Sequence, residues 1–147
     1  MMRPVPCMLV VLLALCAGMS GESFAHESQP SLLELRQLEL GENRYKVIWR
    51  APIYYGRPHP ARLQLPDHWK TVGEPTVRQL PDSALYQRFV TVEGASINGS
   101  VIRFPGLETT ITDVFVRISR IDGSQATLVV RPTRPFAALR GERPWYV

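Results

Sequence analysis

The sequence predicts an all-β fold, an antiparallel β-sandwich of immunoglobulin-like shape with about seven or eight short strands. Three observations predict it. Short apolar runs alternate with period two, which places successive side chains on opposite faces of a strand. Turn residues separate these runs at intervals too short for useful helices. Thirteen prolines in 147 residues favour short elements and edges. A small β-barrel satisfies the same pattern and is the alternative architecture.

The strands follow in order. Ser31 to Leu40 comes first, with Leu33 and Leu35 opposite Glu34 and Arg36. The Gly41-Glu42-Asn43 turn leads into Tyr45 to Ala51, where Tyr45, Val47 and Trp49 alternate with Lys46, Ile48 and Arg50. Pro52, Pro58, Pro60 and Pro66 loosen the middle, leaving a short run at Ala61 to Leu65 and an edge-strand candidate at Thr76 to Leu80. Leu85 to Glu93 alternates again, with Tyr86, Arg88, Val90 and Val92 on one side. Ser100 to Phe104 is closed by Pro105-Gly106. The clearest pair is Asp113 to Ile121 and Gln125 to Arg131, joined by Asp122-Gly123, residues that accept the positive φ of a tight hairpin.

The two ends read differently. Arg3 supplies a basic n-region, Met8 to Cys16 is an apolar run too short to span a bilayer, and Ser23-Phe24-Ala25 offers small residues for cleavage. The chain therefore divides into a signal peptide at 1–25, a β-sandwich at 26–132 and a Pro-rich extended or disordered tail at 133–147. The protein is expected to be periplasmic or secreted, cleaved between Ala25 and His26. Lipidation at Cys16 is a lesser option, because Leu15 stands where a lipobox has a small residue. Both cysteines, Cys7 and Cys16, leave with the signal, so packing alone holds the mature domain together. No further transmembrane segment follows the signal peptide.

Composition bounds the function. Hydrophobic residues make up 45%, charged residues 20%, and the formal net charge is +4, a globular balance. The basic residues are scattered along the chain, so no nucleic-acid partner is expected. There is no Gly-rich phosphate loop, nucleophile elbow or metalloprotease helix. A cleaved chain would begin with His26, whose α-amino and imidazole nitrogens could chelate copper or nickel. His59 or His68 could complete such a site, with Glu27 and Asp67 adding oxygen ligands. The plainer reading is a solvated terminus with two loop histidines, since no pair has metal-motif spacing. Tyr54-Tyr55 beside Arg57, and Trp145-Tyr146 in the tail, are aromatic binding candidates that could equally be packing residues. Asn98-Gly99-Ser100 is formally a glycosylation sequon and more simply a turn.

Two blocks carry a family resemblance. The first is Ala25-His26-Glu27-Ser28, then Ser31 to Leu35, then Tyr45-Lys46-Val47-Ile48-Trp49-Arg50-Ala51-Pro52. The second is Phe104-Pro105-Gly106-Leu107-Glu108-Thr109-Thr110-Ile111-Thr112-Asp113-Val114-Phe115-Val116-Arg117, followed by Asp122-Gly123 and Pro132 to Phe136. They resemble the extracytoplasmic N-terminal domain of the HupE/UreJ family of hydrogenase/urease accessory membrane proteins. In that family the domain precedes a multi-helix membrane part implicated in nickel or related metal transport. The resemblance implies a non-catalytic accessory module that contacts a membrane protein linked to metal transport. The alternatives are a copper- or nickel-binding protein using His26, and a hydrolase acting on an exported substrate.

Overall fold

The computed structural model describes residues 29–39, 43–94 and 96–140. The signal peptide, the cleavage site, Gly41-Glu42 and Trp145-Tyr146 lie outside the described residues. Nine strands follow one another: β1 (Ser31–Gln37), β2 (Arg44–Tyr54), β3 (Arg57–Pro58), β4 (Trp69–Gln79), β5 (Ser83–Val92), β6 (Val101–Arg103), β7 (Val114–Ser119), β8 (Gln125–Val130) and β9 (Phe136–Ala138). The main sheet has the order β4-β5-β2-β1-β7-β8, with β3 folded back on β2, and β6 and β9 form a second small sheet. Its outermost strands, β4 and β8, do not pair with each other, so the sheet is not a closed barrel. The architecture is consistent with a β-sandwich.

Alternation decides which face of each strand is buried. Leu33 and Leu35 lie opposite Trp49 and Val47 on one side and Val116 and Ile118 on the other. All six are buried. The second layer closes over them with Ile102, Phe104, Ala137 and Leu139, which join the same core. The Trp49 and Phe104 rings meet across the layers, with centroids 5.6 Å apart. Rings at that spacing add about 0.5–1.5 kcal/mol beyond their buried area.

Four features depart from the sequence prediction. The sheet is mixed: β1 pairs antiparallel with β2 and parallel with β7. Side-chain period is two in either pairing, so alternation cannot distinguish the direction of a neighbour. The short Thr76 to Leu80 candidate is the second half of an eleven-residue edge strand, β4, whose register shifts between Val72 and Thr76. A bulge of this kind restarts the alternation and hides the first half. Ala61 to Leu65 supplies only an isolated bridge from Gln64 to Arg103. Finally, the stretch after Pro132 forms β9, and Leu139 is fully buried, so the packed domain extends beyond residue 132.

Two glycines fix turns. Gly123, at φ +87°, closes the β7–β8 hairpin. Gly106, at φ +92°, lies so close to the 60–61 backbone that a Cβ would meet the Pro60 carbonyl oxygen at 2.3 Å. The chain at 59–62 therefore rests directly on the 104–107 turn, and Arg62 N–H donates to Pro105 C=O at 2.9 Å.

Candidate functional site

Of the histidine candidates, the two described ones, His59 and His68, lie apart. His26 and Glu27 lie outside the described residues. His59 is buried beside Tyr54, at the end of β2, with ring centroids 6.0 Å apart. The Ala61 N–H donates to its Nδ1 at 3.2 Å, and its Nε2 lies 2.8 Å from Thr112 Oγ1. An Nδ1 that accepts leaves the proton on Nε2, which donates to Thr112. Burial holds the imidazole below its ordinary pKa, favouring the neutral ring. Both nitrogens are thus occupied by the protein.

His68 belongs to the other end of β2. It is exposed, and its Nε2 lies 3.0 Å from Ser100 Oγ, which also accepts from Trp69 Nε1 at 3.1 Å. Trp69 stacks on Tyr45 at the start of β2. Nine residue steps along β2 separate Tyr45 from Tyr54, about 30 Å at strand rise. The His59 and His68 rings cannot share an ion across that span. Among the described residues no group of three or more His, Cys, Asp or Glu side chains could hold a metal. Asn98-Gly99 is a turn, and the hydroxyl of Ser100 is committed to Trp69 and His68. Tyr54 ends β2 and donates to the Gln29 carbonyl. Tyr55 is 83% exposed at the tip of the β2–β3 hairpin, where Tyr55 and Gly56 both have positive φ, as a two-residue type I′ turn requires.

Two surfaces emerge that the linear sequence does not display. The first is the sheet face turned away from the core. Its rows are set by the strand registers. One row runs Arg78, Leu85, Arg50, Leu32, Phe115, Val129. The next runs Thr76, Gln87, Ile48, Glu34, Arg117, Thr127. The third runs Val72, Phe89, Lys46, Arg36, Ser119, Gln125. A fourth, partial row holds Lys70, Thr91 and Arg44, with Leu38 beside Arg44. No side chain in these rows is fully buried.

The face carries seven cations and one carboxylate, a local charge of +6. The whole chain is +4, so everything outside this face sums to −2. Glu34 sits between Arg36 at 2.7 Å and Arg117 at 3.5 Å. Arg50 reaches Asp82 at the margin of the face, 3.1 Å away. The Ser83 hydroxyl, which donates to Asp82, and the Arg50 guanidinium hold that carboxyl below its ordinary range. A shallow groove of about 200 Å³ opens at one corner, lined by Leu38, Val72 and Phe89 and bordered by Arg44.

The second surface is the free edge of β8. It pairs only with β7 among the described residues. Its sequence, Gln125-Ala126-Thr127-Leu128-Val129-Val130, has no charge and no proline, and Val129 is 50% exposed. The opposite edge, β4, carries Lys70, Gly73, Glu74, Pro75 and Arg78 together with its register shift. Charges, proline and bulges are how proteins block unwanted strand pairing. The β4 edge has all three and the β8 edge has none.

Comparison of the chain with protein-family models, with curated proteins and with solved structures finds no match.

Proposed function

We propose that this protein is an exported, non-catalytic accessory module that works by contacting a membrane protein, with metal transport as the process it serves. The observation that carries the reading is the unprotected edge of β8. A six-residue strand that pairs on one side only among the described residues is a template for an extended segment of another chain. Main-chain hydrogen bonds supply affinity in such strand addition, and alternate side chains such as Val129 supply selectivity. The resemblance of the β1, β2 and β7 segments to an accessory-protein domain supports the choice of a membrane partner, and rests on those quoted residues alone.

The test is co-purification from detergent-solubilised membranes, with wild type and Thr127→Pro compared. Proline in an edge strand removes a backbone donor and blocks strand addition. Loss of a specific membrane-protein partner in the variant, with an unchanged thermal melt, supports the reading. A wild-type protein that elutes alone at every expression level refutes it.

A further inference from the structure

We infer that the core-distal face of the main sheet is a docking surface for a bilayer containing anionic phospholipid. The face spans six strands, about 24 Å at normal strand spacing, and four rows of side chains, about 20 Å along the strands. Seven cations lie in it against the single carboxylate of Glu34. That carboxylate is already engaged by two arginines. Arg50 is held by Asp82 at the margin, and with that carboxylate counted as well the face keeps a net charge of +5, seven cations against two carboxylates.

Charge alone would suit any polyanion. The apolar side chains among the cations favour a bilayer. Phe89 is 40% exposed and Val72 42%, next to each other in the Lys46 row, and Leu38 completes the groove they line. Phe115 and Val129 repeat the pattern at the β8 end. An aromatic and aliphatic cluster ringed by Arg and Lys matches the boundary between headgroups and acyl chains. There cations meet phosphates while apolar groups enter the chain region. The sheet twists, so a planar membrane meets mainly the part of the face that holds the groove, strands β4, β5, β2 and β1. These carry Phe89, Arg44, Lys46, Arg50 and Arg36.

This inference is independent of strand addition at β8, and lipid vesicles free of protein separate the two. The protein is purified in the form isolated from cells, with N-terminal sequencing to show that residues 1–25 are absent. It is sedimented with vesicles of phosphatidylcholine alone or with 30 mol% phosphatidylglycerol. Binding is expected only to the anionic vesicles and is expected to weaken as salt rises. Each juxtamembrane cation contributes about 1 kcal/mol, near five-fold in affinity, so Lys46→Gln with Lys70→Gln should weaken binding ~25-fold. Phe89→Ser should weaken it further. Arg103→Gln, a neutralisation in β6 on the other layer, should change nothing. Circular dichroism confirms that every variant is folded. Equal binding to neutral vesicles, equal loss in Arg103→Gln, or no vesicle binding overturns the inference. Capture of polyglutamate or DNA in place of vesicles overturns it equally, by assigning the face to a different polyanion.

Discussion

Gly106→Ala is the sharpest structural test. At φ +92°, an L-residue pays about 1–2 kcal/mol for the left-handed backbone. The new methyl also meets the Pro60 carbonyl oxygen at 2.3 Å and its carbon at 3.0 Å. Both are backbone atoms and cannot rotate aside as a flexible side chain would. Relief requires moving the 59–62 segment off the 104–107 turn, which disturbs the Arg62–Pro105 hydrogen bond and the buried His59 and Leu107. Overpacking of this kind costs about 1–3 kcal/mol, so Gly106→Ala should lose about 2–5 kcal/mol in all. Gly123→Ala is the control. Its φ is +87° and nothing lies within 4 Å of the added methyl, so it should lose only about 1–2 kcal/mol. Urea unfolding followed by far-UV circular dichroism measures both, and an unchanged m-value licenses the comparison. If the two variants differ by less than about 0.5 kcal/mol, within ordinary additivity error, the packing of residue 106 on residue 60 is refuted.

Four further outcomes are expected. Thr112→Val removes the acceptor for His59 Nε2–H and should cost about 1–3 kcal/mol by leaving a buried donor unpaired, measured by thermal melt. His59 has a folded pKa below its ordinary 6.5, so the unfolded chain binds more protons below that pH. Its contribution to stability is full above pH 6.5 and is lost as pH falls toward the folded value. Urea midpoints should therefore decline across that window in wild type and decline less in a His59→Gln variant. Ser31 Oγ is buried without a partner among the described residues, so Ser31→Ala should be neutral or stabilising by up to about 1 kcal/mol, read by urea midpoint. Asp82→Asn loses an exposed, solvent-screened ion pair and should leave the urea midpoint nearly unchanged.

The candidate histidines illustrate how little a sequence position says about a ligand set. His59 lies between Pro58 and Pro60, which reads as an exposed loop. The fold instead tucks it under Thr112, fifty-three residues away, and uses both of its nitrogens. No local signal predicts that, because the partner of its Nε2 comes from another loop. The cationic face is the converse case. Arg36, Lys46, Arg50, Lys70, Arg78 and Arg117 are dispersed along the sequence and look like ordinary solvated positions. Only the registers of β1, β2, β4, β5 and β7 stack them into adjacent rows.

The sequence by itself determined the class of fold and most strand positions, because period-two alternation is a local property and burial acts on it residue by residue. It separated the two faces of β1, β2 and β5 and placed the Asp122-Gly123 hairpin. The tertiary structure decided what is non-local. It set the parallel pairing of β1 with β7, the bulge that lengthens β4 and the use of the tail as β9. It also gathered seven cations on one face and left one edge open. Strand direction, register and edge position depend on which segment arrives beside which, and alternation is silent on all three.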